Sequence, residues 1–349
     1  MRPEPTGSRR APLAVSMGDP AGIGLEISLK AWAGRFTEGL APFVLFADPA
    51  AVVERARHLS LEVPIAPVEG LAQAAETFKT ALPVRPVPLS VPARPGVPDP
   101  ANAPAVISAI EEAVAAVAGG EAAALITSPI AKHVLAVAGF PYPDHTEFLA
   151  ALAERHWRGQ RFHSVMMLAA GPFRVVPLTV HCPLADVPKA VTREKIIETV
   201  RIVHEALKRD FAVARPRIAV TGLNPHAGEE GSMGREEIEV IVPAIAELQA
   251  AGLAVTGPHP ADTLFHAAAR ASYDAALAMY HDQALIPFKT VAFEDGVNVT
   301  LGLPFVRTSP DHGTAFDIAP QGRASAQSFI ESLKLADAIA AARAAAAPT

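Results

Sequence analysis

Short hydrophobic runs alternate along the chain with longer runs in which hydrophobic positions recur every three or four residues. The longer runs predict helices at 24–36, 49–58, 192–211 and 326–346. The short runs predict strands, and they occupy residues 12–17, 42–47, 123–129, 163–170, 173–180, 217–222, 275–281 and 298–304. This alternation indicates an α/β protein in which helices cover both faces of a largely parallel sheet.

One proline-rich segment interrupts this pattern. Residues 83–104 contain eight prolines, and proline lacks the backbone N–H that a helix interior or a central strand requires. The sequence therefore predicts that this segment is an extended crossing on the surface.

Length and composition narrow the class of protein. A chain of 349 residues favours two domains, and its net charge of −6 without a basic stripe argues against a nucleic-acid partner. The single cysteine, Cys182, allows neither an intrachain disulfide nor a cysteine-based zinc site. The apolar runs are too short for a signal peptide or a membrane helix. We therefore expect a soluble cytoplasmic protein.

The turn between the first predicted strand and helix reads SMGDPAGIGLE (16–26). Its spacing, G-x-x-x-G-x-G, matches neither the Rossmann dinucleotide fingerprint nor a P-loop. The glycines allow a ligand to approach the backbone, and the helix N-terminus offers N–H groups to an anion. A tight turn without a ligand explains the same residues equally well. No acidic residue follows at the Rossmann spacing, so a Rossmann fold is not predicted.

Three histidines follow predicted strands directly. They are His181 in PLTVHCPLAD, His226 in GLNPHAGEEG and His281 in ALAMYHDQALIPFK. Ligands of α/β proteins collect at the carboxyl ends of strands, and a catalytic metal site combines about three protein ligands with an open position. The three residues are therefore candidate ligands of a divalent metal, although each alone could be a hydrogen-bonded loop histidine. Asp282, next to His281, is either an orienting partner or a solvated side chain.

Further polar residues are candidates for binding an anion. His145 and Thr146 begin an amphipathic helix, where they could contact a substrate anion or only cap the helix. In the largely apolar region 286–320, three side chains could hold a carboxylate or phosphate: Lys289, Asn298 and Arg307.

Together these stretches resemble the 4-hydroxythreonine-4-phosphate dehydrogenase family of pyridoxal phosphate biosynthesis. The matching pieces run in order through nearly the whole chain. They are SMGDPAGIG (16–24), ALITSPIAKH (124–133), DHTEFLA (144–150), LTVHCPL (178–184), LNPHAGEEGSMGREE (223–237), GPHPADTLF (257–265), MYHDQALIPFK (279–289) and GVNVTLGLPFVRTSPDHGTAFDIA (296–319).

The resemblance implies a two-domain α/β/α fold like that of the isocitrate and isopropylmalate dehydrogenases, which is not a Rossmann fold. The first domain would comprise residues 1–130 and about 300–349, and the second about 131–299. The active site would lie in the interdomain cleft, and the enzyme would be a homodimer whose subunits share it.

The resemblance also implies roles for single residues. His181, His226 and His281 would bind a divalent metal (zinc, magnesium or cobalt), with His181 and His226 from one chain and His281 from the partner subunit. His145, Thr146, Lys289, Asn298 and Arg307 would bind the substrate. The loop DHGTAFDIA looks like the adenosine-binding loop of the decarboxylating dehydrogenases, which assigns five residues to NAD or NADP: His312, Gly313, Thr314, Ala315 and Asp317.

The expected reaction is oxidation of 4-phosphonooxy-L-threonine to a β-keto acid that decarboxylates to 3-amino-2-oxopropyl phosphate. Four residues depart from the family pattern: Asp144 and Leu25 replace a glycine and a proline, and Pro320 and Gln321 replace a Gly-Lys pair. Alternatives are a paralogous dehydrogenase of a phosphorylated four-carbon sugar acid or an aromatic dihydrodiol acid, a phosphotransacetylase-like transferase, and a metal-dependent hydrolase.

Overall fold

The structure is a computed structural model, and it describes residues 10–142 and 145–346. The departure at Asp144 lies outside the described residues. The strands are β1 (Leu13–Ser16), β2 (Phe43–Ala47), β3 (Ile65–Pro67), β4 (Leu82–Pro86), β5 (Leu125–Thr127), β6 (Val165–Ala170), β7 (Phe173–Pro177), β8 (Arg217–Thr221), β9 (Ala254–His259), β10 (Ala275–Ala278), β11 (Val297–Leu301) and β12 (Arg307–Pro310).

The helices follow in the same order. They are α1 (Gly24–Ala33), α2 (Pro49–His58), α3 (Ala74–Thr77), α4 (Ala103–Ala118), α5 (Lys132–Val137), α6 (His145–His156), α7 (Val187–Ala190), α8 (Arg193–Arg209), α9 (Val242–Ala250), α10 (Ala261–Leu264), α11 (Ala267–Arg270), α12 (His281–Val291) and α13 (Gln327–Ala346). These elements confirm the predicted α/β class.

The chain divides into two compact units. Unit 1 runs to Arg161 and resumes at Phe305–Asp337, and unit 2 consists of Phe162–Pro304 and the chain from Ala338. The first boundary differs from the predicted one near residue 130. The reason is that Leu135 of α5 and Phe140 pack against Val106 of α4, inside unit 1.

Unit 1 contains a parallel sheet with the strand order β3-β4-β2-β1-β5-β12. Every residue of β1, β2 and β5 is buried, as expected for strands covered on both faces. The apolar helix α4 packs against β1, β2 and β5. The segment Pro100–Ala118 is long and apolar enough to cross a membrane, although we expected no such run. Because half of that window is buried within the protein, it is a core helix.

The proline-rich segment departs from its prediction at its start. Residues 82–86 form β4, which lies between β2 and β3 rather than on the surface. The sheet tolerates the prolines because the hydrogen bonds at the two ends of the strand are donated by other residues. The backbone N–H of Leu82 donates to Pro64 O, and that of Val87 donates to Ala47 O. Proline is tolerated where no ladder hydrogen bond is lost.

Unit 2 contains the strand order β11-β6-β7-β10-β8-β9. Strand β6 is antiparallel to both β7 and β11, whereas β7, β10, β8 and β9 are mutually parallel. The three neighbouring strands β7, β10 and β8 therefore end at the same edge of the sheet. These are the strands that precede His181, His281 and His226.

Candidate active site

His181 and His281 lie side by side at this edge. Beyond the ends of β7 and β10 the two segments stay hydrogen-bonded, because Thr179 Oγ1 donates to the carbonyl oxygen of Met279 at 2.9 Å. The two imidazole rings are 6.0 Å apart between centroids. Both residues line a cavity of about 350 Å³ together with Val180, Cys182, Leu184, Val187, Tyr280 and Asp282. These two histidines are therefore neighbours within a single chain.

His226 lies on an exposed loop after β8 and does not join this pair. Five consecutive residues, His226–Glu230, adopt left-handed backbone conformations with φ between 40° and 79°. Four of them are not glycine, and each such residue costs about 1–2 kcal/mol. Within residues 10–142 and 145–346, no group of three or more His, Cys, Asp or Glu side chains is arranged to hold a metal ion. The described part of a single chain therefore supplies two neighbouring imidazoles, and not a complete set of three metal ligands.

Asp282 contacts the ring of His281. The distance from His281 Nδ1 to Asp282 Oδ1 is 2.7 Å. A carboxylate in this position fixes the proton on Nδ1 and leaves Nε2 available as a ligand atom. Of the two interpretations left open by the sequence, this contact favours the orienting partner.

Gln283 connects the neighbouring strands at the same edge. Its Oε1 accepts hydrogen bonds from Thr221 Oγ1 and from the backbone N–H of Met279, each at 2.7 Å. Its Nε2 donates to the carbonyl oxygen of Gly222 at 2.8 Å. Gln283 thus ties the end of β8 to the end of β10. No sequence pattern marks this residue, although it stands two positions after His281.

Unit 1 brings together several of the predicted anion-binding residues. Arg307 is 4% exposed on β12, and its Nε and Nη2 donate to Thr127 Oγ1 on the adjacent β5 at 3.2 and 2.6 Å. Burial, then the charges of Arg307 and Lys132, lower the pKa of His145 well below its ordinary value. Its Nε2 is buried without a hydrogen-bond partner in the described part of the chain. Thr146 follows it in α6.

This arrangement presents a neutral imidazole beside two cations, which suits a bound anion. Thr127 and Lys132 were not among the predicted site residues. Both belong to the stretch ITSPIAKH, which carried the resemblance.

The other two predicted substrate residues lie in unit 2. Lys289 is in the last turn of α12, with Nζ 5.8 Å from the centre of the Phe293 ring. Asn298 is on β11, and its Oδ1 is buried without a hydrogen-bond partner among the described residues. A buried amide oxygen without a partner is costly, so Asn298 is a candidate for binding a ligand donor.

The loop predicted to bind the cofactor packs against the glycine-rich turn of unit 1. Ile23 donates its backbone N–H to Thr314 O at 3.1 Å, and a Cβ added at Gly22 would lie 2.9 Å from that same oxygen. Gly22 is therefore required for the close approach of the two loops. Gly313 and Asp317 are exposed, and His312 is half-buried. Ala315 has a positive φ of 46°.

One departure from the family pattern has a structural role in this loop. Gln321 donates from Nε2 to Asp317 O at 2.8 Å, and the carbonyl oxygen of Pro320 lies 2.9 Å from His58 Nε2. Both residues at the departing positions therefore hold the end of the loop in place.

Known proteins identify the family. Residues 39–336 match the family model of the pyridoxal phosphate biosynthetic protein PdxA. The 4-hydroxythreonine-4-phosphate dehydrogenase of Xanthobacter autotrophicus is 53% identical over 95% of this chain and 94% of its own length. Its counterpart from Bradyrhizobium diazoefficiens is 52% identical over 95% and 98%.

Solved structures agree with these relatives. The 4-hydroxythreonine-4-phosphate dehydrogenase of Klebsiella pneumoniae superposes with a TM-score of 0.83 at 37% identity, covering 95% of this chain and 99% of its own. A terephthalate 1,2-cis-dihydrodiol dehydrogenase from Burkholderia xenovorans gives 0.61 at 27% identity, covering 94% and 98%. A branched-chain phosphotransacylase from Enterococcus faecalis, at 15% identity and 0.53, shares only the fold. The chain therefore belongs to the PdxA family, and it is an oxidoreductase of the 4-hydroxythreonine-4-phosphate dehydrogenase type that acts in pyridoxal phosphate biosynthesis.

Proposed function

We propose that this enzyme oxidises the secondary alcohol of 4-phosphonooxy-L-threonine with NAD or NADP, and that the resulting β-keto acid loses CO₂ to give 3-amino-2-oxopropyl phosphate. The observation that carries the proposal is the pair His181 and His281, whose rings lie 6.0 Å apart beside a cavity of about 350 Å³. Oxidation followed by decarboxylation needs an electron sink at the substrate oxygen, and two adjacent imidazoles fit a metal that provides one.

The ligand set that we propose is His181, His226 and His281, with one of the three contributed by the partner subunit of a homodimer. Neutral imidazoles suit zinc and cobalt, while magnesium prefers oxygen ligands. When bound there, the divalent ion supplies Lewis acidity for negative charge on the substrate oxygen. Asp282 orients His281, and Thr179 and Gln283 hold the strand ends that carry the ligands.

The substrate would be bound by cationic and polar side chains: His145, Thr146, Lys289, Asn298 and Arg307. Arg307 is already oriented by Thr127, so little side-chain entropy is lost on binding. His145 is kept neutral by burial and by its cationic neighbours, and it can donate one N–H to a phosphate oxygen.

The nicotinamide cofactor would bind at the loop of His312, Gly313, Thr314, Ala315 and Asp317. NAD or NADP, when bound, supplies the hydride acceptor. The exposed carboxylate of Asp317 suits the hydroxyl groups of an adenosine ribose. Since the single cysteine of the chain is exposed and free, we propose a reducing compartment, the cytoplasm.

A second candidate function is oxidation of an aromatic dihydrodiol acid. The similarity to the terephthalate dihydrodiol dehydrogenase favours it, at 27% identity over nearly the whole of both chains. A terephthalate dihydrodiol carries carboxylates instead of a phosphate, and the cationic side chains of Arg307 and Lys289 would bind these carboxylates.

A substrate panel separates the two functions. We would measure NAD and NADP reduction with 4-phosphonooxy-L-threonine, with a four-carbon sugar acid phosphate and with a terephthalate dihydrodiol, each with and without a chelator. We expect turnover of the phosphonooxy-threonine, abolished by the chelator. Turnover of the dihydrodiol alone, or turnover that is insensitive to chelation, would overturn the proposal.

A further inference from the structure

The loop that carries His226 has an unfavourable backbone conformation, and the residues just before it are hydrogen-bonded to the buried carboxylate of Glu237. Glu237 is 2% exposed although it is a charged residue, and it lies at the start of a wide turn, Glu237–Ile241, that leads into α9. Its Oε1 accepts from the backbone N–H groups of Leu223 and Asn224, both at 2.8 Å. Its Oε2 accepts from Asn224 Nδ2 at 3.0 Å, and the same nitrogen donates to Glu236 Oε2 at 2.7 Å.

The left-handed turn closes directly over this carboxylate. A Cβ added at Gly228 would lie 2.5 Å from Glu237 Oε2, and one added at Gly222 would lie 3.1 Å from Oε1. The glycines of the loop are therefore needed so that the backbone can wrap around the Glu237 side chain. All three acceptor contacts of Glu237 are made to residues just before His226, so Glu237 is not free to serve as a ligand itself.

The energetic balance of the loop explains why a charged side chain is buried there. Each non-glycine residue between His226 and Glu230 destabilises the loop by about 1–2 kcal/mol in the left-handed region. Such strain persists only where the surroundings determine the backbone completely. Hydrogen bonds to a charged acceptor are about twice as strong as neutral ones. Three of them converge on Glu237.

We infer that Glu237 is a positioning residue, which fixes the strained loop so that His226 is presented to the divalent metal. The inference rests on the proposed function, because it assumes that His226 is a ligand. Glu237 would thereby raise the affinity for the metal although it contacts neither metal nor substrate. Partners of metal ligands contribute 10–100-fold to affinity in general, and Glu237 acts one step farther away, through the backbone of the loop.

The test is metal affinity, measured by competition with a chromogenic chelator for Zn²⁺ and Co²⁺. In Glu237→Ala we expect the Kd to rise by about 10–100-fold. Glu237→Gln keeps one acceptor oxygen for Leu223 and Asn224 but places an amide nitrogen opposite Asn224 Nδ2. We expect its Kd to lie between those of the wild type and Glu237→Ala.

The matched control is Glu239→Ala. Glu239 lies in the same wide turn, but its side chain is 57% exposed and forms an ion pair with Arg235 on the surface, so we expect a Kd within about twofold of the wild type. The Kd for NAD should be unchanged in all three variants, since the proposed dinucleotide loop is in unit 1. A merely structural role for Glu237 would lower the Tm of the metal-free protein without changing the metal Kd.

The outcomes separate this inference from the proposed function. If His226→Ala binds metal as tightly as the wild type, the proposed ligand set is wrong. If His226→Ala loses the metal while a folded Glu237→Ala keeps the wild-type Kd, only the role of Glu237 is overturned. If circular dichroism shows that Glu237→Ala is unfolded, the metal Kd of Glu237→Gln is the test instead. A wild-type Kd overturns the inference, and a raised Kd supports it.

Discussion

His145 shows how its surroundings set the chemistry of a single residue. Burial, Arg307 and Lys132 together lower its pKa well below the ordinary value, so the imidazole stays neutral at neutral pH. A neutral ring keeps one donor and one acceptor, and the positive charge at this place comes from the two neighbouring side chains. The same residue in the solvent would titrate within the physiological range.

For the metal ligands, the direct prediction concerns His226→Ala. Because His226 is exposed on a loop, its removal should leave the fold and the Tm of the metal-free protein unchanged. Loss of one of three ligands should weaken metal affinity by more than about 100-fold and abolish NAD reduction. Metal content by elemental analysis and circular dichroism measure the two effects. His163→Ala is the control, since that side chain is also exposed and pairs with the exposed Glu198; normal metal content in His226→Ala would contradict the assignment.

For the cofactor, the corresponding prediction concerns Asp317→Ala. If Asp317 binds the adenosine ribose, the KM for the dinucleotide should rise about 10-fold or more, while the KM for substrate and kcat change little, because the contact supplies binding rather than chemistry. Steady-state kinetics with each substrate varied in turn give this split. Glu62→Ala, an exposed acid of the same unit, is the control.

A substitution in the glycine-rich turn would not be a suitable control for Asp317→Ala. Gly22 packs directly on Thr314 of the proposed cofactor loop, so its substitution would displace that loop by contact. A larger effect of Asp317→Ala on the substrate KM than on the dinucleotide KM would place the cofactor elsewhere.

The sequence identified the candidate ligands but missed the residues that hold them. His181 and His281 could be predicted because a histidine at the end of a strand is a typical ligand position in an α/β protein. Thr127, Gln283 and Glu237 were missed because each acts through hydrogen bonds to residues distant in sequence, and nothing in a local pattern marks such partners. The separation of His226 from the other two also depends on a loop conformation that no periodicity encodes.

Among the elements, the end of α13 is held by an ion cluster around the buried Asp210. Asp210, at the end of α8, accepts two hydrogen bonds from Arg343 of α13 at 2.7 and 2.9 Å. It accepts two more from Arg209 at 2.7 and 3.0 Å. Burial raises the pKa of Asp210, but the hydrogen bonds and charges of the two arginines outweigh it, so the pKa lies below its ordinary value of 3.8.

Asp210→Asn should therefore lower the free energy of unfolding by about 3 kcal/mol at neutral pH, because it leaves two arginines without their shared anion. A carboxyl whose folded-state pKa is lowered stabilises the protein above the unfolded-state pKa, and this stabilisation disappears as pH falls through the folded-state value. The difference between the wild type and Asp210→Asn should thus shrink below about pH 4. Urea denaturation at pH 7 and at pH 3 measures it, with Asp295→Asn, an exposed acid, as control; a pH-independent difference would exclude the ionic explanation.

The strand β4 shows the limit of element prediction from composition. Eight prolines between residues 83 and 104 argued for a surface crossing, yet β4 pairs on both sides. What decides is which N–H each proline removes. Which N–H groups are needed depends on where β2 and β3 end. It is therefore determined by the order of strands in the sheet and not by the composition of the segment itself. By contrast, α2 and α8 were predictable because their hydrophobic period and their caps, Asp48 and Thr192, are local.

At the scale of the whole molecule, the open question is which histidine crosses between subunits of the proposed homodimer. The resemblance assigns that role to His281, with His181 and His226 from one chain. The structure places His181 and His281 together, with ring centroids 6.0 Å apart, which instead suggests that they share an ion and receive His226 from the partner. Both arrangements complete a three-ligand site only in a dimer.

Mixing inactive variants distinguishes these arrangements. Combining His226→Ala with His281→Ala should restore activity under either one, because one composite site of each mixed dimer collects three intact histidines. If subunits exchange at random, about half of the dimers are mixed and each has one working site, so activity should recover to roughly a quarter of the wild type. No recovery, after exchange is confirmed by mass spectrometry, would mean that His226 and His281 come from the same chain, which contradicts both arrangements.

The mixture of His181→Ala with His281→Ala then identifies the crossing residue. If His281 crosses, one site of the mixed dimer has His181 and His226 from one subunit and His281 from the other, and activity again recovers to roughly a quarter. If His181 and His281 come from the same chain, every site in this mixture carries one lesion and the mixture stays inactive. Metal content follows the same rule, so elemental analysis checks the result independently of turnover. Recovery in the first mixture without recovery in the second is the outcome that the 6.0 Å ring distance predicts.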